Sequence, residues 1–459
     1  ASRGFGRGDV LAILAPNLPE WPVAMLGAQL AGGAVTPVNP LWTIDEIGHQ
    51  LRDSGARAVL TVGPFAEAAR AAAGTAEVIV LGEAPPGTVP FAALTTTGAP
   101  VPEVAVDPAT DVAMLPYSSG TTGLPKGVRL THRNLVANVC QTWPLLAPTT
   151  RDVIVGVLPF FHAAGFCSSI CLPLRAGAAV VTQPRFDLEA CLALVERHRA
   201  TILPAAPPVV LALARHPVVD RYDLSSLELV VSGSAPLSAE LETECAARLG
   251  RPVLQVYGLT ETSPVVSVSR RDGRGHTPGG VGTLVPGTEA RLVDPVTGAD
   301  LAAGETGELW VRGPQVMAGY LANPEATAAT IDGDGWLHTG DLSTVTPAGE
   351  VFVLDRVKEL IKVKGFQVAP AELEALLGTH PAVADVGVAG RPDDEAGERP
   401  VAFVVPRGEL DPAALVAWAA ERTAGYKRLA EVVVVEAVPR SPAGKILRRV
   451  LRDRLATPV

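Results

Sequence analysis

The feature that most constrains the fold is a regular alternation of short apolar runs with stretches of helical character. The first five of these segments lie at residues 10–14, 20–30, 34–38, 44–53 and 58–62. Alternation of this kind is typical of βαβ units, in which consecutive strands run parallel and helices cover the sheet. The chain is therefore predicted to be an α/β protein built on a largely parallel sheet.

Changes in this pattern along the chain predict two domains. A polar, proline-rich stretch at 85–108 is interpreted as a connection, after which the alternation resumes to about residue 350 with glycine-punctuated strands of antiparallel character. A boundary is expected near 355–358, and beyond it a compact domain of about 100 residues. Its predicted elements are a helix at 371–377, strands at 384–388 and 401–405, a helix at 412–422 and a strand at 431–435. The predicted domains are 1–355 and 356–459. Because the sequence starts with Ala1 and enters a strand at once, an N-terminal segment is expected to be missing.

Composition excludes several classes of protein. A length of 459 residues with 47% hydrophobic composition is ample for a large buried core. The 38 Lys and Arg residues against 48 Asp and Glu give a net charge of −10, which disfavours nucleic-acid binding. The five cysteines form no CxxC pair, so reduced thiols in the cytoplasm are expected. No apolar run reaches about 18 residues, so no membrane insertion is expected.

The strongest chemical signal is the string YSSGTTGLPKG at 117–127. Glycines let the backbone approach a polyphosphate, hydroxyls and amides donate to its oxygens, and Lys126 offsets its charge. The string is not a Walker loop, because Gly127 follows the lysine where GxxxxGK[ST] requires Ser or Thr. A Gly/Ser/Thr run can also be a flexible surface loop, but the ordered string favours nucleotide binding. The predicted phosphate-binding residues are Ser118, Ser119, Gly120, Thr121, Thr122, Gly123 and Lys126.

This string resembles the phosphate-binding signature of the acyl-CoA synthetase, nonribosomal adenylation and luciferase superfamily, and three further matches follow in family order. They are QVYGLTE at 255–261, WLHTGD at 336–341 and DRVK at 355–358. The resemblance implies that an aromatic ring stacks on adenine, that an aspartate paired with an arginine binds the ribose, and that Mg²⁺ lies near Thr121 and Glu261. The nucleotide-binding residues it implies are Gly233, Ser234, Ala235, Gln255, Tyr257, Gly258, Thr260, Asp341, Arg356 and Gln367.

The resemblance covers essentially the whole chain and is strongest to 4-coumarate:CoA ligase-like enzymes. It implies an ATP-dependent carboxylate:CoA ligase that makes acyl-AMP and pyrophosphate and then a CoA thioester, with ATP, Mg²⁺ and coenzyme A as cofactors. It also implies a large N-terminal domain of αβ layers, with parallel and mixed sheets and a small β subdomain. A hinge near Lys358 would join this domain to a small mobile α+β domain.

Two lysines of the small domain are implied to divide the chemistry. Lys445, in PRSPAGKI at 439–446, matches the lysine that reaches the α-phosphate and the substrate carboxylate during adenylation. The segment 358–374 closely resembles that of 4-coumarate:CoA ligases, in which rotation of the small domain presents Lys362 for thioester formation. The residues implied to contact CoA are Lys364, Gly365 and Phe366.

His162 fits the family histidine between the acyl pocket and the nucleotide site, where it would orient the carboxylate and gate the pocket. Ala164 and Val231 occupy positions where plant 4-coumarate:CoA ligases carry Tyr and Lys, so two polar groups near a substrate phenol are absent. An aryl or arylacrylic acid of the 4-coumarate or cinnamate kind is favoured, and an acid without a phenol hydroxyl would lose nothing at these two positions. The predicted substrate contacts are His162, Ala164, Val231, Gly258, Pro264 and Val265, with Gly258 expected to let a flat ring pass.

Other functions stay open. A medium- or long-chain fatty acyl-CoA ligase would share the adenylation site, and so would an enzyme that loads the thiol of a carrier protein. A luciferase-like or catalytically silent protein is disfavoured, because the residues expected to bind the reactants are all present. They are Thr121, Lys126, Glu261, Asp341, Arg356, Lys362 and Lys445.

Overall fold

The computed structural model describes residues 3–95, 101–118, 125–364, 366–393 and 395–456. Its first sheet has seven strands in the order β5-β4-β3-β1-β2-β6-β9, parallel except for β9, and β7 pairs with β8 in a separate ribbon. The strands are β1 (Val10–Leu14), β2 (Ala34–Pro37), β3 (Ala56–Val62), β4 (Glu77–Leu81), β5 (Val89–Pro90), β6 (Val112–Met114), β7 (Tyr117–Ser118), β8 (Lys126–Gly127) and β9 (Leu130–Thr131). The helices are α1 (Glu20–Leu30), α2 (Ile44–Asp53), α3 (Ala66–Ala72), α4 (Ala92–Thr95) and α5 (His132–Leu146).

The second sheet also has seven strands, in the order β11-β10-β12-β13-β14-β15-β16. It is parallel up to β14, and the last two strands are antiparallel, so this sheet is mixed. The strands are β10 (Val153–Gly156), β11 (Ala179–Thr182), β12 (Ile202–Ala205), β13 (Leu229–Ser232), β14 (Val253–Gly258), β15 (Val265–Val268) and β16 (Thr283–Leu284). The helices are α6 (Ala163–Phe166), a π-helical turn (Cys167–Cys171), α7 (Leu172–Ala176), α8 (Leu188–His198), α9 (Pro207–Arg215) and α10 (Ala239–Leu249).

An antiparallel sheet of five strands follows, in the order β18-β17-β19-β20-β21. Its strands are β17 (Glu289–Val293), β18 (Asp300–Leu301), β19 (Thr306–Arg312), β20 (Leu337–Val345) and β21 (Val351–Arg356), with α11 (Pro324–Thr330) before β20. Buried and less buried residues alternate along β19 and β20, as expected for a sheet covered on one side. The buried face is apolar at Leu309 and Val311 of β19, whereas β20 buries the polar residues Thr339, Asp341 and Ser343 beside Leu337. This sheet corresponds to the predicted small β subdomain.

The last sheet begins directly after β21 and has its own core. Its strands are β22 (Ile361–Val363), β23 (Phe366–Val368), β24 (Val383–Asp393), β25 (Gly397–Pro406) and β26 (Glu431–Val434), and its helices are α12 (Pro370–Gly378), α13 (Pro412–Ala420) and α14 (Arg448–Ala456). Its buried apolar residues form two clusters, a larger one between Ile361 and Val432 and a smaller one of Ala389, Val401, Phe403 and Leu451, and neither cluster includes a residue before Ile361. The predicted α/β fold class, with parallel and mixed sheets followed by a small α+β unit, is thus confirmed.

The structure corrects one predicted connection and locates the predicted hinge. The proline-rich stretch at 85–108 is not simply a connection, because it contains β5 and α4. Lys358, the expected hinge, lies in a 3₁₀ turn (Val357–Glu359) between β21 and β22. Domain limits at 355/356 and mobility of the small unit stay predictions. Among the described residues, no helix combines the length and apolarity needed to cross a membrane.

The separate core of the last sheet generates a prediction about domain independence. Leu373 in α12 is fully buried in that core, so Leu373→Ala should destabilise the small unit by about 2–5 kcal/mol. In differential scanning calorimetry, this change should lower one unfolding transition and leave the other in place. The matched control is Leu213→Ala, since Leu213 is fully buried in the core of the second sheet and should lower the other transition. A single transition lowered equally by both changes would contradict separate domains.

Candidate active site

The predicted phosphate loop is carried by the β7–β8 ribbon. Ser118 lies opposite Lys126 in the register of this ribbon, which brings the two ends of the loop together. The ammonium nitrogen of Lys126 lies 5.1 Å from the centre of the Tyr320 ring, a distance at which a cation is attracted by the ring face. The loop tip lies outside the described residues, and with it the predicted Ser119, Gly120, Thr121, Thr122 and Gly123.

Tyr320 links the phosphate loop to the predicted metal residue. Its hydroxyl donates a hydrogen bond of 2.9 Å to Oε1 of Glu261, which lies in the 3₁₀ turn Thr260–Thr262 after β14. The backbone places Tyr320 there through a bridge to Val128, just beyond the ribbon. Sequence reasoning missed Tyr320. The only signal for it is a contact between residues 59 positions apart, which no local pattern encodes.

A second cluster joins the second and third sheets around one carboxylate. Asp341 on β20 accepts a 2.7 Å hydrogen bond from the Tyr257 hydroxyl at Oδ2 and another of 2.7 Å from Nε of Arg356 at Oδ1. Asp341 and Arg356 are direct neighbours in the β20–β21 register. Burial, followed by the charge of Asp341, raises the pKa of Tyr257, so its hydroxyl stays protonated and donates. Each Asp341 oxygen keeps a second lone pair, the acceptor capacity that ribose hydroxyls require.

His162 stands at the N-terminus of α6 with a fixed tautomer. Its Nδ1 accepts a 3.3 Å hydrogen bond from the Ala164 amide, so in the neutral ring Nε2 carries the proton. A Cβ at Gly165 would lie 1.9 Å from the Pro159 carbonyl oxygen, and the tight turn that aims the ring therefore needs glycine. Burial and, to a lesser extent, the charge of Lys445 lower the pKa of His162 to about 4. The imidazole is therefore neutral at physiological pH.

Lys445 approaches the same place from the last sheet. The turn that carries it packs on the second sheet, because a Cβ on Gly444 would lie 3.1 Å from Pro208 and 3.2 Å from Ala206. The side chain of Lys445 is accessible to solvent along the cleft, yet the surrounding protein, and then the charge of Arg356, lower its pKa. The carboxylates of Asp341 and Glu261 act in the opposite direction. We name the space bordered by His162, Glu261, Asp341 and Lys445 the central cleft.

The residues predicted for the thioester step lie elsewhere. Lys362 is exposed on β22 opposite Gln367 of β23. Lys364 pairs with Glu395 at 3.2 Å, and Phe366 stacks on Tyr426 with ring centres 4.5 Å apart. Gly365 lies outside the described residues. In this arrangement Lys445, not Lys362, is the lysine whose charge acts on His162.

Several predicted nucleotide and substrate residues have clear packing functions. The Gln255 amide donates to Glu242 at 2.6 Å and to the Leu237 carbonyl at 3.2 Å, so this side chain fastens α10 to β14. A Cβ on Gly233 would lie 2.6 Å from the Val256 side chain. The absence of a side chain at Gly233 therefore lets the loop of Ser234 and Ala235 lie close to β14.

Gly258 does not match the reason given for it from sequence. A Cβ at Gly258 would lie 2.0 Å from the Pro264 carbonyl oxygen, so backbone fills the space expected to admit a flat ring. The glycine is required by close backbone packing. Nearby, Val231 and Val265 are 8% and 6% exposed and belong to apolar clusters, so the wall they form is apolar. Contact of these residues with a substrate stays a prediction.

Comparison with known proteins agrees with this geometry. Residues 1–321 match the family described as AMP-binding enzyme, and residues 372–445 match the AMP-binding enzyme C-terminal domain. The chain belongs to the AMP-binding enzyme family. It is 46% identical to 4-coumarate–CoA ligase 5 from Oryza sativa subsp. japonica and 42% identical to 4-coumarate–CoA ligase from Pinus taeda, covering 99% of this chain and 86% and 87% of those proteins. The resemblance to 4-coumarate:CoA ligase-like enzymes is thus confirmed.

Solved structures of family members share the architecture. ATP-bound MatB from Rhodopseudomonas palustris superposes with a TM-score of 0.90 at 32% identity, covering 99% of this chain and 90% of that one. The apo structure of the same protein, with the same identity and coverage, gives a TM-score of 0.79. The structure of this AMP-binding enzyme is therefore more similar to the ATP-bound structure of MatB than to its apo structure.

The proximity of Lys445 and His162 generates a prediction for the imidazole. NMR titration of the ring nitrogens should give His162 a titration midpoint at pH about 4. The signal of His162 is assigned by its loss in the His162→Gln variant. In Lys445→Met the midpoint should rise, because one unfavourable positive charge is removed. It should stay below the ordinary value of 6.5, because burial is the larger cause. A midpoint that Lys445→Met leaves unchanged would contradict the placement of this lysine in the central cleft.

Proposed function

We propose that this enzyme activates a carboxylic acid with ATP and transfers the acyl group to coenzyme A. Its class as an acid–CoA ligase, predicted from sequence, is confirmed by the family and by full-length relatives, and the use of ATP and CoA follows from that class. The observation that carries the mechanism is the approach of Lys445 to the central cleft: its turn packs at Ala206 and Pro208, its charge acts on His162, and the carboxylates of Glu261 and Asp341 act on Lys445.

In the first half-reaction a carboxylate oxygen attacks the α-phosphorus of ATP, a bond to pyrophosphate breaks, and acyl-AMP forms. The two reactants are both anionic, and negative charge builds up where they meet. Lys445 offsets this repulsion, an effect worth several kcal/mol when a charge is preorganised in a cleft. The neutral His162 donates a hydrogen bond from Nε2–H to the carboxylate and so orients it, without transferring the proton. Tyr257 and the Asp341–Arg356 pair hold the nucleoside.

Mg²⁺ fits the residues of the central cleft. Mg²⁺ prefers one or two protein carboxylates with water and phosphate oxygens in its remaining positions. Glu261 offers one such carboxylate, and its Oε1 is already oriented by the Tyr320 hydroxyl. When bound, Mg²⁺ would neutralise phosphate charge. We propose Glu261, with Thr121, as the protein side of this site.

In the second half-reaction the CoA sulfur attacks the acyl carbon, and AMP leaves. We propose that rotation of the small domain about Lys358 withdraws Lys445 and presents Lys362 with the segment 364–366. Two observations support this rotation. The last sheet has its own core, so it can move as a unit, and the related MatB superposes unequally in its ATP-bound and apo structures.

The proposed substrate is an aryl or arylacrylic acid without a polar ring substituent. The relatives named above are 4-coumarate–CoA ligases, which supports an arylacrylic skeleton. Val231 and Ala164 place no hydrogen-bonding side-chain group at the positions of the plant Lys and Tyr. A fatty acid is the second candidate, since the wall near Val231 and Val265 is apolar. A carrier-protein acceptor has no support from the relatives, and a cytoplasmic location stays a prediction.

The function is tested by pyrophosphate release with ATP, Mg²⁺ and CoA over cinnamic, benzoic, fatty and dicarboxylic acids, with mass detection of the acyl-CoA product. An aryl-CoA product supports the proposal, and a fatty acyl-CoA product alone would replace the substrate class. Acyl-AMP that is never converted to a thioester would overturn the proposal that this enzyme is a CoA ligase.

The two lysines should separate the half-reactions. Lys445→Ala should lower acyl-AMP formation by about 10²-fold or more, since a preorganised charge is lost, while supplied acyl-AMP is still converted to thioester. Lys362→Ala should do the reverse. The measurements are ATP–pyrophosphate exchange for the first step and thioester formation from synthetic acyl-AMP for the second. Loss of only the first step in both variants would contradict the division.

The apolar wall should set substrate preference. Cinnamate should have a kcat/KM at least equal to that of 4-coumarate, because a buried phenol hydroxyl without a partner costs about 1–3 kcal/mol. Val231→Asn should shift the ratio of the two kcat/KM values toward 4-coumarate. The control is Val230→Ala on the same strand, which changes packing without adding a polar group. A strong preference of the unmodified enzyme for 4-coumarate would show that another group meets the phenol.

A further inference from the structure

Arg448, three residues after Lys445, lies at the centre of a buried ionic cluster. Its Nη2 donates to both oxygens of Glu374 at 2.9 and 2.8 Å, its Nη1 donates to Oε2 of Glu359, and its Nε donates to the Val388 carbonyl at 3.2 Å. The side chains of Arg448, Glu359 and Glu374 are only 10%, 19% and 14% exposed. Buried charge-assisted hydrogen bonds with this geometry define position strongly.

The cluster joins the two sides of the domain boundary. Asp355, the penultimate residue of β21, is 4% exposed, and its Oδ2 accepts a 2.8 Å hydrogen bond from the Ala371 amide in the first turn of α12. Burial raises the pKa of Asp355, and the nearby charge of Arg448 opposes that rise. We call Arg448, Glu359, Glu374 and Asp355 the Arg448 cluster. It therefore contains one carboxylate before Lys358, one directly after it and one on α12.

The turn that carries Lys445 is held from both ends. On its N-terminal side Arg440 donates to Asp385 at 2.8 Å and to the Gly444 carbonyl at 3.0 Å. On its C-terminal side the Leu447 amide donates to the Pro439 carbonyl at 2.8 Å, and the guanidinium of Arg448 is the first side chain that anchors the chain to other elements through ionic hydrogen bonds. Within the turn, the Ser441 amide donates to the Lys445 carbonyl at 2.8 Å. The Arg448 cluster fixes the start of α14 and so contributes to the position of Lys445 in the central cleft.

We propose that Arg448 is a positioning residue for adenylation, which ties the Lys445 turn to the carboxylates beside the hinge and so sets the reach of Lys445 into the central cleft. This inference rests on the proposed function. Glu359 and Glu374 lie after Lys358, as Arg448 does, and their contacts travel with the small domain when it rotates. Because Lys445 acts only in the first half-reaction of the proposed mechanism, Arg448 serves that step specifically.

An arginine is needed for this task. The planar guanidinium donates in three directions at once, to Glu359, Glu374 and the Val388 carbonyl. A lysine keeps the charge but has a single nitrogen on a flexible stem, and so cannot reproduce this fork. Arg448→Lys should therefore keep the small domain folded while loosening the Lys445 turn.

The test measures both half-reactions in the unmodified enzyme, Arg448→Lys and Arg448→Ala, with Arg452→Ala as the control. Arg452 is an exposed arginine one turn further along α14. We expect Arg448→Ala to lower ATP–pyrophosphate exchange by about 10²-fold, the effect of displacing a catalytic group by about 1 Å. Thioester formation from synthetic acyl-AMP should stay close to that of the unmodified enzyme, because Lys445 does not act in that step. Arg448→Lys should recover part of the first step, and Arg452→Ala should match the unmodified enzyme.

A second measurement does not depend on turnover. In Arg448→Lys the NMR midpoint of His162 should rise in the same direction as in Lys445→Met, because Lys445 stays further from the ring. Equal loss of both half-reactions in both Arg448 variants would mean that Arg448 only maintains the fold, and no loss in either would mean that it does not position Lys445. Either result overturns this inference. An unmodified enzyme that forms no thioester would instead overturn the proposed function, together with the inference that rests on it.

Discussion

The arrangement of this enzyme depends on the Asp341 carboxylate, held between the Tyr257 hydroxyl and the Arg356 guanidinium at 2.7 Å each. The three residues come from β14, β20 and β21, so one buried anion joins the second sheet to the third. Removing one partner of such a group leaves a buried charge unpaired, which typically costs 3–5 kcal/mol. Because Arg356 is also the last residue before the 3₁₀ turn of Lys358, the same anion fixes the origin of the hinge.

Around this anchor, charges of both signs border the central cleft. Lys126 and Glu261 meet on opposite parts of Tyr320, the ring and the hydroxyl. Asp341 and Arg356 follow, and Lys445 completes the series from the small domain. Arg356 is paired with Asp341, and the carboxylates of Asp341 and Glu261 also act on Lys445. A cleft of this kind can hold a polyanion without accumulating a large positive charge of its own.

The sequence predicted the parts of the site that lie in continuous strings, and missed the parts that depend on folding. The two helices and three strands predicted after residue 370 overlap α12, β24, β25, α13 and β26, because their apolar pattern is strong, whereas β22, β23 and α14 were not predicted. Asp341, Arg356 and Lys445 were identified from motifs, and the structure brings them together. Tyr320 and Arg448 were missed because their partners are distant in sequence. Glu261 lies 59 positions from Tyr320, and Glu374 lies 74 positions from Arg448. Gln255 was assigned from its motif, although its side chain binds Glu242 within the core.

The two crowded glycines of the site, Gly165 and Gly258, restrict which substitutions this protein can accept. At each, an added Cβ would lie 2 Å or less from a carbonyl oxygen, 1.9 Å at Gly165 and 2.0 Å at Gly258, so neither position tolerates a side chain. At these two positions the main chain around the proposed acyl pocket packs directly against main chain, which leaves no room for a side chain. Substitutions that leave this main-chain frame intact are those of the side chains set into it, such as Ala164 and Val231. The acid that the pocket accepts can therefore be altered by side-chain substitutions without altering the main-chain path through the site.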